Sequence, residues 1–306
     1  MYYPSGLYRL KARAALKGHW QTALLIALIV NLPTLLMQAV SIFTGNDILE
    51  RLQAVVITAS RDGVMSRELL MDEMNVFLRS SGFWTVRGLE LAALLVTPCL
   101  SLGLYHWLME RLRGAADTDG VKAAFSRARL FLKAVGLQIL VSLKVLVWML
   151  PGIAGAVALM LPVMRATTSG EQLAALRQSY GMTLPVSMLM IVPGVMAALR
   201  YALSEYILAD EPETGVLGCI RRSKELMRDQ KRNLFMLLIG FLLWYLLEML
   251  IASMLAGVLS LVFQMLASLA LSVYVSASVS AFYLRLTSGE KEGTEAGGEP
   301  APEELN

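Results

Sequence analysis

Histidine and cysteine are nearly absent from this chain of 306 residues: His19, His106, Cys99 and Cys219 are the whole supply. Two cysteines, one inside an apolar run and one on a basic segment, offer no disulfide framework. Two distant histidines offer no zinc or haem spacing, so no metal and no cofactor is expected. Charge is scarce as well, at 17% of residues where a soluble domain averages about 25%. Catalytic signatures are missing too. There is no G-x-S-x-G, no P-loop, no H-E-x-x-H and no carboxylate pair flanking a histidine. Without a visible nucleophile–base pair the chain reads as a non-enzyme. The formal net charge of +3 gives no strongly basic surface for nucleic acid.

Apolar residues fill the sequence instead. They make up 56% of it, and the mean hydropathy is +0.58. The excess is gathered into long charge-free runs, the pattern of a chain dissolved in lipid. The run from Trp20 to Asn46 holds 27 residues, well beyond the roughly 7–15 of a signal-peptide core. It reads as an anchor that stays.

Six spans are expected, at about 20–43, 89–109, 134–164, 183–209, 234–255 and 258–284, with Gly257 as the last turn. The polar stretch 44–88 carries apolar residues at helical spacing and reads as a folded outer cap. Residues 1–286 then form one polytopic membrane domain. The acidic, Gly- and Pro-rich segment 287–306 reads as a disordered tail. With the N-terminus inside, the inner segments 1–19, 110–133, 210–233 and 285–306 hold 18 Lys and Arg, against 7 in the outer segments. That bias puts both termini in the cytoplasm.

Three times a basic amphipathic segment (5–19, 118–133, 215–232) precedes a pair of spans. The pattern reads as three parallel helix-plus-hairpin repeats, although charge sorting alone also makes every cytoplasmic connection basic.

Two sets of residues are candidates for a role. Lys144, Arg200 with its neighbour Tyr201, Glu205 and Glu248 lie inside spans, where ionisable groups are costly. They either line a polar pathway or form static pairs, and the second is more economical. Arg221, Arg222, Lys224, Arg228, Lys231 and Arg232 make 215–232 the most basic segment. On a helical wheel Val216, Leu217, Ile220, Ser223 and Met227 fall opposite its charges. Such a segment either engages anionic inner-leaflet lipid or a protein partner, or rests on the membrane as an elbow. The elbow needs fewer assumptions. A copy of the same chain is another partner to consider. Ser268, Ser272, Ser276 and Ser280 recur every fourth residue, a small stripe suited to close helix packing or, less simply, to lining a groove.

Several stretches resemble the bacterial integral membrane proteins catalogued as domain of unknown function 975. They are Leu10-Lys11, Ala14, Leu16-Lys17-Gly18 and Trp20, then Trp148, Pro193-Gly194 and Arg200-Tyr201. After these come ILADEP at 207–212, SKELM at 223–227, Lys231, Phe235 and Phe282-Tyr283. The resemblance covers both ends and most spans, and implies a multi-pass architecture without an assigned activity. One departure is the second Pro-Gly, Pro151-Gly152 as well as Pro193-Gly194, which reads as an insertion over 152–192. Localisation in the bacterial plasma membrane follows as an expectation. The first functional reading is a scaffold or regulator acting through its basic inner helices. The second is a permease for a small solute or lipid using the polar residues within the spans.

Overall fold

A computed structural model describes residues 6–37, 40, 75, 79, 81–115, 120–165 and 192–296. Its regular elements are all helical among these residues. In chain order they are α1 (Gly6–Leu16), α2 (20–37) and α3 (Ser81–Leu112). Two 3-10 turns follow, Gly120–Phe125 and Ala128–Leu130, and then α4 (Phe131–Arg165). The remainder is α5 (192–201), α6 (Ser204–Asp210), α7 (Val216–Leu226), α8 (Lys231–Met254) and α9 (Gly257–Ala296).

Five of these stretches are long and apolar enough to cross a membrane: Trp20–Met37, Phe83–Leu112, Gly120–Gly155, Lys231–Met254 and Gly257–Ser288. Many of their large side chains face outward. On α8, Leu243, Trp244, Leu246 and Met249 are exposed, and on α9 so are Val258, Leu259 and Leu266. In water such surfaces would be untenable, and in lipid they are ordinary.

Several expected boundaries are corrected. Helix α3 begins at Ser81, so residues 81–88 belong to a span and not to the cap; most of 44–80 lies outside the described residues. The stretch 118–133 is not an amphipathic α-helix: its described part holds the two 3-10 turns and the start of α4. Close approach explains this, because a Cβ at Gly103 of α3 would lie 2.6 Å from the Ala123 carbonyl oxygen. The turn is pressed backbone to backbone against α3, which a side-chain-bearing helix face would prevent. Span four is interrupted by a turn at 202–203 within its described part, 192–210, while 166–191, most of the suspected insertion, lies outside. Helix α9 continues to Ala296, ten residues into the segment expected to be unstructured.

The chain divides into two compact units. The first comprises Met1–Val30, Cys99–Leu137 and Leu199–Asn306. Its apolar core takes Leu16 from α1, Ile26 from α2, Trp107 and Leu108 from α3, and Val273 from α9. Alanines at 12, 23, 27, 123, 124 and 277 let these backbones approach. Helix α1 is held to α9 by several contacts. The Tyr8 and Phe282 rings meet edge-on at 5.3 Å, the Tyr274 hydroxyl donates to the Arg9 carbonyl at 3.3 Å, and Arg285 donates to the Tyr8 hydroxyl. The aromatic pair is worth about 1 kcal/mol beyond its buried area. Arg9 also lies against Gly240 and over the Phe241 ring of α8. Gly18, at φ +84°, ends α1 in the left-handed conformation that glycine adopts without strain. Gly257 turns α8 into α9 at φ +58°.

The second unit comprises Asn31–Pro98 and Gln138–Ala198. Here Gly194 of α5 receives Met149 of α4, whose Cγ would lie 2.7 Å from a Cβ at that position. Near the start of α3, Arg87 pairs with Glu90 at 2.7 Å.

Candidate functional site

The most densely bonded polar region of the first unit is the acidic turn that ends α6. The turn at 202–203 frees the Arg200 carbonyl, which accepts from the Ser223 hydroxyl of α7 at 3.1 Å. Helix α6 then delivers Asp210 to a ring of partners. Arg113, just past α3, donates to both Asp210 oxygens at 2.8 Å and to Glu110 at 3.0 Å. Tyr283 of α9 donates to Asp210 Oδ2 at 3.2 Å. Lys133, near the start of α4, donates to the Pro212 carbonyl at 2.7 Å. One heptapeptide and the turn after it therefore link the end of α3, the start of α4 and α9 by charge-assisted bonds, the stronger kind. Burial lowers the Arg113 pKa, but Asp210 and Glu110 outweigh it and the net shift is upward. Below the turn, buried Cys219 lies 3.9 Å from the Thr214 carbonyl. Burial, followed by the Glu211 charge, pushes its thiol up to about 11.

A second polar group sits one turn back. Tyr105 of α3 stacks on Tyr206 of α6 with centroids 4.3 Å apart. The Tyr105 hydroxyl is hydrogen-bonded to Glu205, and that of Tyr206 to Ser276 of α9. Nearby, Arg127 meets His106 Nδ1 at 3.0 Å and Arg111 meets His19 Nε2 at 2.6 Å.

The five span residues singled out from the sequence are scattered. Lys144 lies in the second unit; Arg200, Tyr201, Glu205 and Glu248 lie in the first. Among the described residues no ion pair joins any of them to another. Glu205 meets tyrosines instead. Glu248 is buried on α8, and its Oε2 has no hydrogen-bond partner among the described residues.

The basic set also divides. Arg221, Arg222 and Lys224 are on α7, Arg228 is in the turn after it, and Lys231 and Arg232 open α8. The wheel holds for Ile220, Ser223 and Met227, which are buried, and needs correcting at Leu217. The buried side of α7 is Cys219, Ile220, Ser223 and Leu226, whereas Leu217 is 68% exposed. On α7 it shares a face with Arg221 and Lys224, at spacings i, i+4 and i+7, and exposed Arg228 follows in the turn beyond, so that face is basic with an apolar tip. Arg221 pairs with Glu225 at 3.4 Å. In the serine stripe, Ser268 and Ser272 donate to their own helix while Ser280 is fully buried without a partner.

Asp210, Arg113, Tyr105 and Tyr206 were missed from the sequence. The loop charges read as solvated, and single tyrosines in apolar runs carry no spacing signal. The adjacency of Glu205 and Tyr206 to the acidic ILADEP segment was the one available clue. Among the described residues no group of three or more His, Cys, Asp or Glu side chains has the geometry to hold a metal ion.

Together the helices and their outward apolar faces define the class: an all-helical protein with several membrane-crossing helices. A family model described as "Protein of unknown function (DUF975)" matches residues 1–290, and the chain belongs to that family. Neither the curated proteins nor the solved structures contain a match to it.

Proposed function

We propose that the protein is a non-enzymatic scaffold or regulator of the bacterial plasma membrane, engaging anionic inner-leaflet lipid or a protein partner through its basic helices. In this reading 1–286 is one polytopic domain of six crossings, with both termini cytoplasmic. Five apolar helices support the first, second, third, fifth and sixth crossings, and the interrupted helix over 192–210 stands for the fourth. Cysteines introduced singly near 113 and 228 should react with an impermeant maleimide only after the membrane is opened; labelling of one from outside intact cells sinks the topology.

The observation that carries the function is the exposed face of α7. Leu217, 68% exposed, stands among Arg221, Lys224 and Arg228 while the opposite side is buried. An apolar tip among cations suits the headgroup boundary of an anionic leaflet. A photo-crosslinking residue at Leu217 should give a lipid or protein adduct that is lost on Arg221→Glu, Lys224→Glu and Arg228→Glu. Persistence of the adduct in that triple variant refutes the reading.

A second reading, a permease for a small solute or lipid, is favoured by Glu205, Tyr105, Tyr206 and Ser276, a polar group set among apolar helices. A cysteine replacing Ser276 would then react with a small water-soluble reagent, and complete protection removes that reading.

A further inference from the structure

A cavity of about 360 Å³ opens where α1, the end of α3 and the end of the apolar part of α9 come together in the first unit. Three cations line it: Lys11, Arg113 and Arg285. Among the described residues no carboxylate lines it, although Asp210 and Glu110 hold Arg113 from the side. Thr287 and Ser288 also line it, but both hydroxyls donate to carbonyls of their own helix, so recognition falls to the cations. Leu112 and Leu284 supply an apolar wall.

These features select a ligand chemistry. Three cations converging, with no lining acid among the described residues, suit a group of concentrated negative charge, and arginine suits phosphate oxygens. The volume lies at the low end of small-molecule sites and leaves room beyond a bare phosphate. The apolar wall and the position of Arg285 near the end of an apolar helix put the mouth at headgroup level. We infer that this pocket binds a phosphate-bearing headgroup, that of an anionic lipid such as phosphatidylglycerol. The source rests on the topology proposed above, which puts these helix ends at the inner leaflet, whereas the phosphate chemistry does not. Lys11 contributes most freely, since among the described residues no carboxylate pairs with it. Arg285, held also by Tyr8, is the more structural of the two.

The test uses the full chain in mild detergent, titrated with phosphatidylglycerol or phosphatidylcholine, with retained lipid counted by native mass spectrometry. Inorganic phosphate is added in a parallel thermal-unfolding series. Phosphatidylglycerol should be retained in preference, at one tight site. Lys11→Gln should weaken that site about fivefold, one headgroup-distance charge, with unfolding temperature unchanged; Arg221→Gln should leave it alone. Arg285→Gln should weaken it too, and is scored only if it still unfolds cooperatively. Protection by inorganic phosphate without phosphatidylglycerol preference keeps the pocket and reassigns it to soluble phosphate compounds. Equal retention of both lipids with no phosphate effect, or a Lys11→Gln protein indistinguishable from the parent, overturns the inference. Loss of phosphatidylglycerol binding in Arg221→Gln with none in Lys11→Gln discards the pocket and leaves the α7 reading standing.

Discussion

Removing the Asp210 carboxylate tests whether the acidic turn is what ties the first unit together. Asp210→Ala deletes both bonds from Arg113 and the acceptor for Tyr283. A buried charge-assisted bond is worth about 1.5–3 kcal/mol, and a buried donor left without a partner costs about 1–3 kcal/mol. The Arg113 side chain is 40% exposed and that of Asp210 16%, so water recovers much of the freed guanidinium and the pair sits at the low end. The Tyr283 hydroxyl, on a fully buried residue, has no such recourse. Together the loss is about 3 kcal/mol. For a chain of this size each kcal/mol moves the unfolding midpoint by roughly 2 °C, so Tm should fall by about 6 °C. Asp210→Asn keeps one neutral acceptor and should lose about half as much. In a double-mutant cycle, Asp210→Ala with Arg113→Ala should show a coupling of about 1.5 kcal/mol. The control is Arg221→Gln, whose side chain is 84% exposed and paired at 3.4 Å; it should cost less than about 0.5 kcal/mol. Thermal unfolding in detergent reads the parent and all five variants. If Asp210→Ala falls no further than Arg221→Gln, the turn is decoration and the reasoning fails.

Gly103→Ala should destabilise by about 1–3 kcal/mol, since the new methyl meets backbone carbonyls and not a flexible side chain; wild-type Tm in this variant would contradict the close approach. Cys219, raised from 9.0 to about 11, should react with maleimide at pH 7.5 roughly 100-fold more slowly in the folded protein than in denaturant. Because the folded thiol ionises later than the unfolded one, its stabilising effect is complete below pH 9 and is lost as pH rises through about 11; rapid folded-state labelling would disprove the burial. Glu248→Leu removes a buried carboxyl oxygen that has no hydrogen-bond partner among the described residues and should leave stability equal or raised by about 1–3 kcal/mol of relieved desolvation, with Tm unchanged or higher; a clear fall in Tm would mean Glu248 has a stabilising partner.

The sequence by itself determined that this protein is helical and belongs in a bilayer. Charge-free runs around Trp20, Val145, Phe241 and Leu261 are too long and too apolar for any other solvent, and the period of a helix needs no tertiary partner to be read. It also located Gly257 and the acidic turn that opens at Asp210, because glycine and an Asp-Glu-Pro turn act locally; the earlier break at 202–203 it did not show. Tertiary structure alone decided which charges meet. Asp210 finds Arg113 and Tyr283 across 97 and 73 residues of chain, Glu205 takes Tyr105 in place of an arginine, and Leu217 turns outward because Cys219 and Leu226 take the buried side of α7. Side-chain pairings of that range depend on which helices lie together, and among helices that are apolar nearly all round no stripe in the sequence says which face looks inward.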